Sequence, residues 1–298
     1  MKIQGSIVAL VTPFSKNNKL DLQGLKENIQ YQLKNGTDGF VPCGTTGEAP
    51  TLTWEEWEAV VQTTIKTVNK KKPVIVGTGT NSTDKTIKLS IRAQELGADG
   101  CLIVTPYYNR PTQEGLFEHF STIAREVKIP IIIYNIPART GVNMTPQTVE
   151  RLHKKYPEKI IGIKEASGNL DQVSEIIHRC GKDFLVFSGD DTLTLPILAI
   201  GGKGVISVVA NIFPKTMARL IKYFFLGNIK RALELHYQLY PISKAMFIET
   251  NPAPIKFAME YLGFKAGKTR LPLVDLKPEN KEFIVKVLEE YQKGKKND

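Results

Sequence analysis

Ile160-Ile161-Gly162-Ile163 is a short apolar run that ends in Lys164-Glu165. Thirty residues upstream a second apolar run, Ile131-Ile132-Ile133, ends in Tyr134-Asn135-Ile136-Pro137. A lysine held where the local pattern asks for a hydrophobe loses hydration, which disfavours the ammonium. A neutral amine attacks carbonyl carbon and forms a Schiff base, and a tyrosine at a neighbouring strand end can move the protons. Other run ends are equally polar. Gly44-Thr45-Thr46-Gly47-Glu48 combines two hydroxyls with backbone N–H groups framed by glycines, a cradle suited to a carboxylate, although the same pentapeptide would also make a capped turn. Arg139, after Tyr134, carries a fork that matches a second carboxylate. Tyr107-Tyr108 before Asn109-Arg110-Pro111 is by itself more often a packed loop than a site. Ser188-Gly189-Asp190-Asp191 offers carboxylates that could bind a metal but are better placed to cap the next helix.

Several chemistries lack their residues. The four histidines have no metal-ligand spacing, the three cysteines are unpaired in sequence, and neither a G-x-S-x-G nor a P-loop occurs. Gly77-Thr78-Gly79-Thr80 lacks the third glycine of a dinucleotide loop. No metal or organic cofactor is expected.

Positioning these groups requires a frame. Eight apolar or β-branched runs recur at intervals of 20 to 35 residues: Ser6 to Val11, Gly39 to Pro42, Val74 to Gly77, Cys101 to Thr105, Ile131 to Tyr134, Ile160 to Lys164, Leu185 to Ser188 and Val205 to Val208. That is the length of a strand, a loop and a crossover helix. Near-continuous hydrophobicity is the mark of parallel strands covered on both faces. Helix signals fall between: a capping box at Thr53 and Glu56, a cap at Ser82 or Thr83 with a stop at Leu96-Gly97, Thr145-Pro146, and a helix from about Leu170 to Cys180-Gly181. The fold class predicted is α/β, a (β/α)8 TIM barrel whose catalytic groups gather at the C-terminal ends of the strands, with an open doubly wound sheet as the alternative. After Val208 the strands stop. Helices are predicted over Pro214–Leu226, Asn228–Leu239, Ala253–Leu262 and Glu279–Gln292, so residues 1–226 are assigned to the barrel and 227–298 to a C-terminal helical region packed on it.

A net charge of +10 over 298 residues raises the question of nucleic acid. The basic residues are scattered, and the dense runs, Lys70-Lys71-Lys72 and Lys293-Gly294-Lys295-Lys296, lack interleaved aromatics. They read as solvated helix ends and a frayed tail, leaving at most an attraction for anionic substrates. No apolar run approaches the ~20 residues of a membrane span. Met1-Lys2-Ile3-Gln4-Gly5 has no signal-peptide design, and buried free thiols suit a reducing, cytoplasmic location.

The strand-end motifs resemble one family. Gly44-Thr45-Thr46-Gly47-Glu48, Tyr107-Tyr108-Asn109-Arg110-Pro111, Tyr134-Asn135-Ile136-Pro137, Arg139-Thr140-Gly141, Gly162-Ile163-Lys164-Glu165 and Ser188-Gly189-Asp190-Asp191 stand in the order of the 4-hydroxy-tetrahydrodipicolinate synthase family, a branch of the pyruvate-dependent class I aldolases. The resemblance runs from Gly5-Ser6-Ile7-Val8 to Arg270-Leu271-Pro272. It implies a lyase that joins pyruvate to L-aspartate-4-semialdehyde on a Schiff base at Lys164, towards diaminopimelate and lysine. It implies a proton relay of Tyr134, Thr45 and Tyr108, with Thr45 and Thr46 on the pyruvate carboxylate, Arg139 on the semialdehyde carboxylate, and Gly189 and Ile206 lining the pyruvate pocket. It also implies a homotetramer, a dimer of dimers in which Tyr108 crosses the tight-dimer interface. The alternatives are a sugar-acid aldolase of the N-acetylneuraminate lyase or 2-keto-3-deoxygluconate aldolase kind, or a non-catalytic binding relative. Asn81 and Tyr107 match the family's cleft for the inhibitor L-lysine. Trp54 and Trp57 replace histidine positions there and Lys85 replaces the glutamate that pairs with the inhibitor's ammonium, so insensitivity to L-lysine is expected.

Overall fold

The eight runs form eight strands in a computed structural model that describes residues 3–295. They are β1 (Gly5–Ala9), β2 (Gly39–Val41), β3 (Ile75–Gly77), β4 (Gly100–Val104), β5 (Ile131–Asn135), β6 (Ile160–Glu165), β7 (Leu185–Ser188) and β8 (Gly204–Ser207). All pairings are parallel, in the order β2-β1-β8-β7-β6-β5-β4-β3. The two ends of that order meet. Phe40 bridges Val74, its N–H donates to the Pro73 carbonyl at 2.9 Å, and the Gly77 N–H donates to the Pro42 carbonyl at 2.9 Å. The sheet is therefore a closed barrel, and the open-sheet alternative is excluded.

Alternate residues of each strand face opposite ways. One set, Ile7, Ala9, Val41, Ile75, Leu102, Ile132, Tyr134, Phe187 and Ile206, packs as a single apolar cluster inside the barrel. The other set, among them Val8, Phe40, Val76, Ile103, Ile133, Ile163 and Val186, packs outward against the helices. On β6 the parity depends on an irregularity. Ile131 pairs with Ile160, but Ile132 pairs with Gly162, which leaves Ile161 as the extra residue of a bulge. A one-residue slip exchanges the two faces of a strand. Because of it, Tyr134 lies opposite Lys164 and Lys164 opposite Phe187. Without the bulge, Lys164 would fall opposite the outward-facing Asn135.

The helices between strands are α1 (Leu22–Lys34), α2 (Trp54–Val68), α3 (Thr83–Glu95), α4 (Gln113–Glu126), a single turn α5 (Pro137–Thr140), α6 (Pro146–Lys155), α7 (Leu170–Cys180), α8 (Thr194–Ala199) and α9 (Pro214–Phe225). Their ends follow the local chemistry. Thr53 and Glu56 form the capping box of α2, Ser82 caps α3, Thr145 caps α6, and Gly97 after α3 has φ +94°. Three further helices, α10 (Ile229–Ala245), α11 (Ala253–Tyr261) and α12 (Pro278–Lys295), share a core with α9, Val11, Val205 and Val208. α10 runs six residues past the predicted end at Leu239 in spite of Pro241. A proline inside a helix costs about 3 kcal/mol, but the continuation buries Ile242, Ala245 and Met246, each worth a comparable amount for the larger side chains. α12 takes in Lys293 and Gly294, which were expected to fray. Met1, Lys2 and Lys296 lie outside the described residues.

The three cysteines are free, and burial pushes the Cys101 thiol up to about 11, so it stays protonated. No described helix is long and apolar enough to cross a membrane.

Gly162 is where β6 presses hardest on β7: an added Cβ would sit 2.3 Å from the Leu185 carbonyl oxygen. Gly162→Ala must part the two strands beside Lys164. Overpacking of this kind costs about 1–3 kcal/mol, or a fall in Tm of roughly 3–10 °C, and we expect activity to fall with it. An unchanged Tm by calorimetry would mean that β6 has room to shift.

Candidate active site

The interior row Tyr134–Lys164–Phe187 lies near the C-terminal ends of β5, β6 and β7. Lys164 is 6% exposed, and its Nζ stands 4.1 Å from the centre of the Tyr134 ring. It has no ion-pair partner among the described residues. A lysine amine that no carboxylate engages is open to a carbonyl substrate. Gly189 adjoins it. A Cβ at Gly189 would lie 3.2 Å from Lys164 Cε and 2.6 Å from Ala166 Cβ. The Gly189 N–H is already spent on the Glu165 carbonyl at 2.7 Å. What Gly189 supplies is therefore space. Ile206 is buried within the same interior cluster as Tyr134 and Phe187.

The outward residues of β5 and β6 clamp this row from behind. Glu165, buried, accepts from Asn135 Nδ2 at 3.0 Å, Gln172 Nε2 at 3.2 Å and the Ser167 N–H at 2.7 Å. Asn135 Oδ1 accepts from the Met144 N–H at 3.0 Å. These bonds tie the strand ends to α7 and to the loop before α6, so the interior row is held by a polar network on its far side.

Above the row is a cavity of about 820 Å³ whose wall includes Thr45, Tyr134 and Arg139. Lys164 is not part of that wall; its Nζ lies against the ring of Tyr134, which is. Thr46 is buried and its hydroxyl accepts from Asn251 Nδ2 at 3.1 Å. The backbone carbonyl of the same Asn251 accepts from Arg139 Nη2 at 3.1 Å. One residue from the segment before α11 thus joins the two expected carboxylate-binding groups. Asn251 was missed in the sequence, where Asn-Pro reads only as a helix boundary.

Tyr108 is set apart. It has φ +74°, is 90% exposed, and does not line the cavity, whereas Tyr107 does. Its loop is pinned on both sides, by Asn109 Nδ2 to the Asn81 carbonyl at 2.9 Å and by Arg110 Nε to the Gly141 carbonyl at 3.0 Å. The tyrosine accordingly projects away from the barrel that carries it.

Asn81, Trp54, Trp57, Lys85 and Lys88 line the outer part of the same cavity. Trp57 is buried and donates from Nε1 to the Gly77 carbonyl at 3.1 Å. It is a wall of the cleft rather than a free ligand group. Asp190 accepts from the Thr192 N–H at 2.8 Å. Asp191 accepts from the Ser207 hydroxyl and from the N–H groups of Val208 and Val209, and burial pushes its carboxyl up to about 6. Asp190 caps the turn that follows it, as expected, whereas Asp191 instead ties the start of that turn to the end of β8. Among the described residues no group of three or more His, Cys, Asp or Glu is arranged to hold a metal ion.

The chain as a whole is similar to known proteins. The model of the dihydrodipicolinate synthetase family matches residues 2–291. The 4-hydroxy-tetrahydrodipicolinate synthase of Geobacter metallireducens is 53% identical over 291 residues, covering 97% of this chain and 99% of that one. The enzyme of that name from Thermodesulfovibrio yellowstonii is 53% identical over 285 residues, with 96% and 97% covered. The crystal structure of dihydrodipicolinate synthase from Aquifex aeolicus has a TM-score of 0.94 at 48% identity, over 97% of this chain and 98% of that one. A closed barrel with a buried unpaired lysine beside a strand-end tyrosine, matched along nearly its whole length by such relatives, belongs to the dihydrodipicolinate synthetase family and is a lyase.

Proposed function

We propose that the chain condenses pyruvate with L-aspartate-4-semialdehyde, the activity for which its relatives are named, and that Lys164 is the nucleophile. The observation that carries the reading is the buried Lys164 amine, 4.1 Å from the Tyr134 ring centre and with no ion-pair partner among the described residues. The amine adds to the keto carbon of pyruvate and water leaves. The resulting iminium draws electrons from the methyl group, which loses a proton to give an enamine. The enamine carbon attacks the aldehyde, and the semialdehyde's own amine then displaces Lys164 and closes the ring. In this reading the protein's iminium is the electron sink. Tyr134, Thr45 and Tyr108 pass protons. Thr45 and Thr46 receive the pyruvate carboxylate, and Arg139 receives that of the semialdehyde. Gly189 and Ile206 leave room for the adduct. The exposure of Tyr108 supports its entry into the site of a neighbouring copy, within a dimer of dimers.

Aldehyde preference tests the reading. With pyruvate, aspartate semialdehyde should turn over far faster than sugar-derived aldehydes, and the reverse order would assign a sugar-acid aldolase. Arg139→Ala should lower kcat/KM for the semialdehyde by about 10- to 100-fold, the worth of a charged hydrogen bond, and leave the KM for pyruvate within about twofold. Equal loss for both substrates would place Arg139 in the frame of the site instead.

Regulation follows from the outer cleft. Lys85 and Lys88 line it without an ion-pair partner among the described residues. A like charge facing the ammonium of L-lysine, in place of an acidic partner, should weaken binding by roughly 2–4 kcal/mol, or 30- to 1000-fold. Millimolar L-lysine should therefore leave the initial rate nearly unchanged. Half-inhibition below about 1 mM would show that the two indoles hold the ammonium by their faces.

A further inference from the structure

Two lysines are buried at this end of the barrel, and they are treated in opposite ways. Lys164 has no ion-pair partner among the described residues. Lys256, on α11 and 2% exposed, stands with Nζ 2.6 Å from Glu48 Oε1, off the axis of a good hydrogen bond but well within an ion pair. Its ammonium also donates to the Lys268 carbonyl at 3.1 Å and lies 4.2 Å from the centre of the Phe14 ring.

Glu48 is the last residue of the Gly44–Glu48 cradle. Its φ is +55°, a left-handed conformation that a non-glycine residue keeps only when its surroundings impose it. Its N–H donates to the Thr45 carbonyl at 3.1 Å, so the two hydroxyls and the carboxylate belong to one tight turn. The second carboxylate oxygen accepts from the Arg270 N–H at 2.8 Å. Arg270 is fixed in turn by Glu56, with both nitrogens 2.6 Å from the two oxygens. The cradle is thus gripped from the C-terminal region three times, by Lys256 and the Arg270 N–H at Glu48 and by Asn251 at Thr46.

A buried ion pair is weak evidence for stability, since apolar replacements often do as well. Its use here is geometric. With Lys256 removed, the Glu48 carboxylate would be buried beside a single N–H donor and would turn toward water, taking the turn with it. We infer that Lys256 is a positioning residue for the pyruvate-carboxylate cradle, acting through Glu48, and that the C-terminal helical region is therefore part of the substrate-binding machinery.

The inference rests on the pyruvate reading above, so wild-type borohydride trapping with pyruvate is run first. No adduct there defeats that reading, whatever the variants do. The inference itself is tested by steady-state kinetics of Lys256→Met and Lys256→Arg. Lys256→Met should raise the KM for pyruvate at least about tenfold, with the KM for the semialdehyde within about twofold, because Arg139 is held by Asn251 and not by Lys256. Saturating pyruvate should still trap the variant fully. Lys256→Arg should restore the pyruvate KM to within about threefold.

A pH series adds a readout that a purely structural role would not move. Burial lowers the Lys256 ammonium to about 8, with Glu48 opposing the shift. The charged groups around it are Glu48, Glu260 on its own helix, Arg270, and Glu56 behind Arg270. Below about pH 8 Lys256 is charged and the cradle is held; above it the pair is lost. The wild-type pyruvate KM should rise between pH 7 and 9, and the rise should be absent in Lys256→Arg, whose guanidinium keeps its charge. Should Lys256→Met not fold, Glu48→Gln serves in its place, with the same expected rise in pyruvate KM. An unchanged pyruvate KM in the variant that folds, or a parallel loss of both KM values and of trapping together with Tm, overturns the inference.

Discussion

The offset of one residue between β5 and β6 decides which way Lys164 points. A strand has only two faces, and β6 is apolar on both, so hydrophobicity alone leaves its side-chain parity open. The bulge at Ile161 sets it, by pairing Ile132 with Gly162 and hence Tyr134 with Lys164. Everything else at the site is referred to that choice. Glu165 and Asn135 face outward because Lys164 and Tyr134 face inward, and their hydrogen bonds to Gln172, Ser167 and Met144 then lock the row in place. Gly162 permits the close approach of β7, and Gly189 leaves the space next to the lysine chain.

The two buried lysines show how surroundings assign roles to one residue type. Lys256 is given a carboxylate, a carbonyl and an aromatic face, and so remains a cation that holds a turn. Lys164 is given an aromatic ring and, among the described residues, no ion-pair partner. The second lysine belongs to the helices that follow the barrel. Their attachment at Asn251, Lys256 and Arg270 makes the Gly44–Glu48 turn a joint product of β2's loop and the C-terminal region.

Much of this was legible in the residues. The eight runs, the capping box at Thr53, the caps at Ser82 and Thr145 and the stops at Gly97 and Gly181 report local chemistry, and each appears where that chemistry places it. Lys164 and Tyr134 stood out because they lie at the ends of apolar strands, and Thr45 and Arg139 because they closely follow them. Closure through Phe40 and Val74 could not be read, because it depends on the sum of all eight strand twists. Nor could the bulge, since Ile160 and Ile161 are interchangeable in any pattern. α10 was cut short at Leu239 because a proline rule is local, whereas the burial that carries the helix past Pro241 is tertiary. Asn251, Glu48 and Lys256 were passed over for the same reason: roughly two hundred residues separate the partners, and neither segment announces the other.

Whether the inward amine of Lys164 takes up pyruvate is decided by borohydride reduction in the presence of pyruvate, followed by peptide mass spectrometry. One stable adduct is expected, on Lys164, and none in Lys164→Ala. An adduct confined to another lysine, or a Lys164→Ala protein that still condenses the two substrates at the wild-type rate, would contradict that role for Lys164.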